Sequence, residues 1–162
     1  MPPCETAAAF VVITLQMSVS IDADRARVWR ALTDPSEVLG WDPRILETIG
    51  SPAAYPEEGT PVRWRYRLGS VPVVLHDRPT DVAPPERLAS TMTVGSLRIE
   101  QTYTLQEEPG DEPRTRLGMK LVTNSSVPVI GEVVNRFDIR RLAAERIDET
   151  LRCVQEWCQA HP

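Results

Sequence analysis

Aromatic side chains, histidine and cysteine are all scarce in this sequence. Aromatic residues make up 6% of its 162 positions, and there are two histidines and three cysteines. His76 and His161 are far apart, and no pair of cysteines has the short spacing of a zinc ligand set, so no metal site is predicted. Cys153 and Cys158 are five residues apart on one predicted helix and point in different directions, so no disulfide framework is expected.

Cofactor-binding motifs and an excess of positive charge are also missing. The chain contains no GxGxxG, GxxxxGK or GxSxG pattern, and we therefore expect neither a nucleotide cofactor nor a serine nucleophile elbow. It has 18 basic against 23 acidic residues, a net charge of −5 and a pI near 5.1. A nucleic-acid surface needs clustered basic residues, so no nucleic-acid partner is expected.

No hydrophobic run is long enough to span a membrane. Residues 7–15 are mostly apolar, but they lack a basic leader and pass directly into an alternating pattern, which favours a strand over a signal peptide. We expect a cytoplasmic protein without stable membrane insertion. No linker or repeat divides the chain, so residues 1–9 are predicted to form a disordered tail and residues 10–162 a single domain.

The C-terminal stretch, residues 126–160, has the periodicity of a long α-helix. Ser126 can cap its start, and Pro128 is tolerated in the first turn. Its apolar residues recur in steps of three and four and form one stripe: Ile130, Val133, Phe137, Ala144, Ile147, Leu151, Val154 and Cys158. Arg140 is the one polar position in this stripe. Because an α-helix rises about 1.5 Å per residue, a helix of this length is as long as a domain is wide and needs a large surface to pack on.

Alternating apolar and polar residues predict about seven strands before this helix. Gly69-Ser70 and Gly95-Ser96 each separate two alternating segments, as in two-residue type II′ hairpins. The first turn pairs Leu68 with Val71, and the second pairs Val94 with Leu97. In both hairpins the apolar residues of the paired strands then share one face.

Two short helices are predicted between the first strand and the rest of the sheet. Asp22 and Asp24 can cap one helix over residues 25–32, and Asp34 a second, with Pro35 at its first position and its end near Gly40. The element order predicts an α+β domain, in which a curved antiparallel sheet and a long C-terminal helix enclose a cavity.

The inward-facing phase of the strands contains several polar residues. They are Asp77, Ser90, Gln101, Tyr103, Thr115 and Thr123. Burying unpaired polar groups in a dry core costs about 1–3 kcal/mol each. A wet or ligand-filled cavity avoids this cost, which is a second reason to predict one.

Residues 19–35, VSIDADRARVWRALTDP, the WDP at 41–43 and DVAPPERL at 81–88 carry a family resemblance. Together with the long terminal helix, they resemble START-like proteins of the SRPBCC (helix-grip) superfamily, in particular the polyketide cyclase/dehydrase branch. The resemblance covers about residues 12–160. It implies a helix-grip fold with a deep hydrophobic cavity between sheet and helix. Because relatives include lipid carriers, hormone receptors and aromatase/cyclases, it implies no shared catalytic motif.

Three residues are candidates for catalysis: Tyr103, Arg140 and Asp77. Arg140 could clamp a ligand carboxylate or enolate or pair with Asp77; alternatively, its side chain extends past its neighbours into solvent. Asp77 points inward unless a β-bulge turns it outward. Tyr103 could exchange a proton if its pKa were lowered, with Gln101 and Asp77 orienting the ligand. The alternative is that these groups only bind cavity water.

The predicted ligand-binding surface mixes apolar and polar residues. It comprises Trp64, Tyr66, Leu75, Ser90, Met92, Ile99, Gln101, Leu117, Met119 and Phe137. This composition favours binding of a small hydrophobic molecule, aromatic or polyketide-like. The alternative function is a polyketide cyclase, aromatase or dehydratase that works by proton transfer, without a metal or nucleotide cofactor.

A third possibility involves the outward face of the sheet. Arg63, Arg65 and Arg67 form a basic row there, and His76 falls opposite Arg63. The row is either an ordinary solvated strand face or the docking surface of an interaction module for an acidic partner such as an acyl carrier protein.

Overall fold

Strands and helices follow one another in the predicted order. A computed structural model describes residues 11–95, 97–125 and 136–162, except the side chains of residues 11, 124, 125 and 136–139. The elements are β1 (Val11–Ile21), α1 (Arg25–Thr33), α2 (Pro35–Trp41), β2 (Ile45–Ile49), β3 (Val62–Leu68), β4 (Val71–Ala83), β5 (Arg87–Val94), β6 (Leu97–Glu107), β7 (Thr115–Ser125) and α3 (Arg136–Ala160). The predicted tail and the predicted helical residues 126–135 lie outside the described residues.

The seven strands form one antiparallel sheet in the order β1-β7-β6-β5-β4-β3-β2. The predicted hairpin registers are confirmed, since Leu68 pairs with Val71 and Val94 with Leu97. Gly69 has a φ of 63°, and no described residue other than glycine has a positive φ. A positive φ at the first central residue alone is what a type II′ turn requires, so this turn also has the predicted geometry.

The short helices α1 and α2 begin at the predicted caps. The side chains of Asp24 and Asp34 each accept a backbone N–H of the first turn, at 2.7 and 2.9 Å. α2 continues through Gly40, where a Cβ atom would lie 2.4 Å from the ring of Trp157 on α3. Glycine at this position therefore allows α2 and α3 to approach each other closely.

α3 lies across the inner face of the sheet, over β1 and β7, and also contacts α1 and α2. The predicted stripe is confirmed in its C-terminal part: Ile147, Leu151, Val154 and Cys158 are buried. The side chains of residues 140–142 are exposed. This part of α3 is thus less buried than the part from Ile147 to Cys158.

Burial along the inner face falls toward the tip of the β3–β4 hairpin. On β3, Val62 and Trp64 are buried, Tyr66 is half-buried and Leu68 is exposed. On the partner strand, the side chains likewise change from buried at Leu75 to exposed at the tip. The inner face therefore has a buried end and an open, apolar end.

Candidate functional site

The carboxyl group of Asp77 lies on the inner face of β4, buried near the middle of the sheet. Its Oδ2 accepts hydrogen bonds from the Tyr55 hydroxyl at 3.2 Å and from the indole Nε1 of Trp64 at 3.4 Å. The two aromatic rings meet edge to face, with their centroids 5.8 Å apart. The hydroxyl of Ser90, on the neighbouring strand, also favours the charged form of the carboxyl. Two aromatic side chains, one from a loop and one from β3, thus hold one oxygen of this carboxyl in place.

The second carboxyl oxygen of Asp77, Oδ1, has no hydrogen-bond partner among the described residues. Burial raises the pKa of Asp77 above its ordinary value of 3.8, and the nearby Ser90 hydroxyl and the hydrogen bonds from Trp64 and Tyr55 oppose this rise without cancelling it. The β-bulge of β4 falls after Pro79, so Asp77 keeps the predicted inward orientation. Burying a carboxyl oxygen without a hydrogen-bond partner costs free energy. A hydrogen-bond donor placed beside this oxygen would remove that cost.

We expect the stability of the Asp77→Asn variant, relative to the wild type, to increase as the pH rises from about 4 to about 7. Because the folded-state pKa of Asp77 is raised, its contribution to stability is fully present below the unfolded pKa of about 3.9 and is lost as the pH rises through the folded value. Asn does not titrate. Melting temperatures of both proteins across this range measure the effect, and Asp81→Asn, at a more exposed position of β4, is the control. A difference that does not change with pH would contradict the expectation.

The phenol of Tyr103 is buried on β6 within electrostatic range of this carboxyl. Burial raises its pKa well above the ordinary value of 10.0, Arg146 acts in the opposite direction, and Asp42 and Asp77 add to the rise. Tyr103 therefore stays protonated at neutral pH and can donate a hydrogen bond. The lowered pKa that an acid/base role for Tyr103 would need is not found.

Arg146 places a partly buried cation on the side of α3 that faces the sheet. Its Nη2 donates a hydrogen bond to Oδ2 of Asp42 at 2.6 Å, and its guanidinium lies 5.5 Å from the ring centroid of Tyr66. Burial by itself would lower the pKa of Arg146, but the charge of Asp42 and the nearby tyrosines raise it overall. The pair fixes α3 to the end of α2 and keeps a positive charge beside Tyr66.

The family model described as polyketide cyclase/dehydrase and lipid transport matches residues 12–156. The chain belongs to this polyketide cyclase/dehydrase family. A search of curated proteins found no match.

Solved structures show the same fold for this cyclase/dehydrase family member. A START superfamily protein from Mycobacterium smegmatis aligns with a TM-score of 0.74 at 13% identity, over 92% of this chain and 99% of the other. Ara h 8.0201 aligns with a TM-score of 0.68 at 11% identity, over 93% and 100%. DynU16, from the dynemicin biosynthetic locus, aligns with a TM-score of 0.60 at 20% identity, over 87% of this chain and 45% of its own. The predicted START-like helix-grip fold is thereby confirmed.

The family member's predicted ligand-binding residues on the sheet all lie on its inner face. Those that are buried are Trp64, Leu75, Ser90, Leu117 and Met119, and those that are half-buried are Tyr66, Met92, Ile99 and Gln101. On β3, Tyr66 lies beside the guanidinium of Arg146 and Trp64 donates to the carboxyl of Asp77. Leu117 and Met119 belong to β7, one of the strands that α3 contacts. The side chain of Phe137 lies outside the described residues.

Arg140 is exposed in this family member, as in the interpretation in which its side chain reaches solvent. The alternative, in which Arg140 clamps a ligand or pairs with Asp77, needs a side chain that points into the cavity, and its exposed position does not favour this. Among the described side chains of α3, Arg146, one position before the buried Ile147, is the arginine that faces the sheet. Helical periodicity places position 146 only at the edge of the apolar stripe. The pattern shows which face of the helix is apolar, but it does not show which part of the helix meets the sheet, and this decides which arginine is buried.

Two further residues of the site, Tyr55 and Asp42, were not predicted from the sequence of this family member. Tyr55 lies in the loop between β2 and β3, which has no periodic pattern. Asp42 is the C-cap residue of α2, and its side chain is only 3% exposed. A buried carboxylate needs a cationic or hydrogen-bonding partner, but only the fold shows that Asp42 is buried.

The remaining predictions concern the outer face, metals and membranes. Arg63, Arg65 and Arg67 are exposed on the outer face, and Arg65 pairs with Glu47 at 2.6 Å. Within residues 11–95, 97–125 and 136–162, no group of three or more potential ligands could hold a metal ion. No helix of the described chain is long and apolar enough to cross a membrane.

Proposed function

We propose that this protein binds a small, largely apolar ligand between the inner face of the sheet and α3, with a hydroxyl of the ligand donating to Oδ1 of Asp77. The observation that carries the proposal is this buried carboxyl oxygen without a partner. Membership of a family that includes cyclases, dehydrases and lipid transporters supports a ligand of this class.

The inner face supplies the apolar part of the proposed site. Met92 and Ile99 pair across β5 and β6 and are only half-buried, and Leu68 and Val71 at the hairpin tip are more than half exposed. Exposed apolar side chains gain free energy when a ligand covers them, about 25 cal/mol per Å² of apolar surface. A ligand that enters from the hairpin tip would bury these residues and reach Asp77 at the buried end.

The polar part of the proposed site combines acceptors and donors. Asp77 offers one free acceptor oxygen, Tyr103 offers a protonated phenol, and Arg146 offers a guanidinium beside Tyr66. An aromatic or polyketide-like molecule carries hydroxyl and carbonyl groups that match such a set. Few, well-placed polar groups in an apolar site orient a ligand more than they attract it.

A pair of ligands that differ by one hydroxyl tests the proposal. We expect 1-naphthol to displace an apolar fluorescent dye from the protein at least about tenfold more strongly than naphthalene does, the scale of one hydrogen bond to a charged group. In Asp77→Asn this preference should disappear. The Asn carbonyl oxygen would accept the bonds from Tyr55 and Trp64, and its NH₂ group would then replace the free acceptor.

Asp81→Asn is the matched control for this measurement. Asp81 lies on the same strand, is partly exposed and pairs with Arg87, so this variant should keep the wild-type preference for naphthol. If neither compound displaces dye, the binding proposal is wrong. If both compounds displace the dye equally, the apolar site is supported, but the proposed hydrogen bond between the ligand and Asp77 is wrong.

A second candidate function is a cyclisation or dehydration in which Asp77 transfers a proton. The observation that favours it is that burial raises the pKa of Asp77. A general acid or base is most effective when its pKa lies near the working pH, and the rise moves this pKa in that direction. For an enzyme, Asp77→Asn should lower kcat at saturating substrate by about 10²-fold or more. For a carrier, only the dissociation constant should change.

A further inference from the structure

An open groove of about 740 Å³ lies on the outer face of the sheet, on the opposite side from Asp77. Its lining comes from β4, β5, β6 and the loop before β3, and includes His76, Arg78, Arg98, Thr91 and Thr93. The side chains of His76, Arg78 and Arg98 are all exposed. The groove is therefore lined by two guanidinium groups, an imidazole and hydroxyls, together with the carboxylate of Glu58. The chain as a whole carries a net charge of −5.

The strand register brings these groups together. Arg63 pairs with His76, His76 with Thr93, and Thr93 with Arg98, so they form one lateral row across four strands. Neighbouring strands are about 4.8 Å apart, and Arg78 is one outward-facing position, about 6.7 Å, along the strand from His76. Arginine side chains can span such distances, so Arg78 and Arg98, which both line the groove, can reach a ligand above His76. Arg63 lies outside the lining, with its Nη2 beside Gly50.

Most arginines of the described chain form ion pairs, but Arg78, which lines the groove, does not. Neither Arg63 nor Arg78 makes an ion pair with a residue that the structure describes. Arg98 lies 3.6 Å from Glu100, and both side chains are mostly exposed, which makes this pair weak. Glu58 also lines the groove, and its Oε1 accepts the backbone N–H of Val82 at 3.0 Å.

We propose that this outer groove is a second ligand site, which binds the phosphate groups of an anionic small molecule such as a phosphate ester or diphosphate. Guanidinium groups match phosphate oxygens with paired hydrogen bonds, and the hydroxyls of Thr91 and Thr93 add neutral donors. The site is separated by the sheet from the proposed apolar site and does not depend on it.

Inorganic pyrophosphate is the probe, and the two histidines of the chain provide the readout by NMR. The imidazole signals of His76 should shift saturably as pyrophosphate is added at constant ionic strength. The chemical shifts of the His161 imidazole should not change. His161 stacks on Trp157 at the end of α3, with ring centroids 4.0 Å apart. Arg78→Gln combined with Arg98→Gln should weaken binding by about tenfold or more, the scale of a lost charge-assisted hydrogen bond.

Arg140→Gln is the matched control, because Arg140 is an exposed arginine outside the groove, and it should leave the affinity unchanged. Shifts that do not saturate, or that are equal at both histidines, would overturn the proposal. So would tighter binding of a polyglutamate peptide than of pyrophosphate, since the groove would then recognise an acidic chain. Circular dichroism of each variant checks that it is folded.

Discussion

Replacing Arg146 by Met is expected to lower the free energy of unfolding by about 3–5 kcal/mol, the usual cost of removing one partner of a buried ion pair. Asp42, whose side chain is 3% exposed, would keep its charge and lose its counter-ion. The methionine preserves most of the packing volume, so the loss reports chiefly on the charge. At about 2–4 °C per kcal/mol for a chain of this size, the melting temperature should fall by about 10 °C.

Arg140→Met is the matched control for Arg146→Met. Both arginines lie on α3, but Arg140 is exposed, so its replacement should change the free energy by no more than about 0.5 kcal/mol. The double variant Asp42→Asn/Arg146→Met should be more stable than Arg146→Met alone, because it leaves no buried charge unpaired. Equal effects of the Arg140 and Arg146 variants would contradict the inward position of Arg146.

Glu37→Gln is expected to destabilise the fold by about 3 kcal/mol, since Glu37 is the one acidic residue of the described chain that pairs with the largely buried Arg27. Glu37 accepts hydrogen bonds from Arg27, Arg30 and Trp157, each at 2.8 Å, and so joins α1, α2 and α3. The side chain of Arg27 is 9% exposed. Urea unfolding of the variant and the wild type at neutral pH measures the loss.

The effect of Glu37→Gln should shrink in acid. Burial raises the pKa of Glu37, but the hydrogen bonds from Trp157, Arg27 and Arg30 outweigh burial and leave it below the ordinary value of 4.5. Its contribution to stability is therefore present above the unfolded pKa and is lost as the pH falls through the folded one. Glu86→Gln is the control: Glu86 also pairs with an arginine, but it is 67% exposed, and its replacement should cost at most about 1 kcal/mol. Losses of equal size would argue against a buried network at Glu37.

Local patterns were sufficient to predict most of the fold. In the β3–β4 and β5–β6 hairpins, the alternation and the glycine at the turn set the strand registers, because a two-residue hairpin leaves only one way to pair the apolar faces. Asp24 and Asp34 marked the starts of α1 and α2, since a side-chain cap acts within one turn. The same alternation also placed Asp77 and Ser90 on the inner face.

The sequence alone thus determined which residues of the strands face inward, because that depends on a period of two within each strand. Which of them meet polar partners was decided by the tertiary structure. Tyr55 comes to Asp77 from an irregular loop, Arg146 comes to Asp42 from the far end of the chain, and Arg140 of the same helix stays in solvent. Such contacts depend on where a whole element lies on the sheet, and no local periodicity carries that information. Likewise, the pKa shifts of Asp77 and Tyr103 arise from burial, which exists only once the chain has folded.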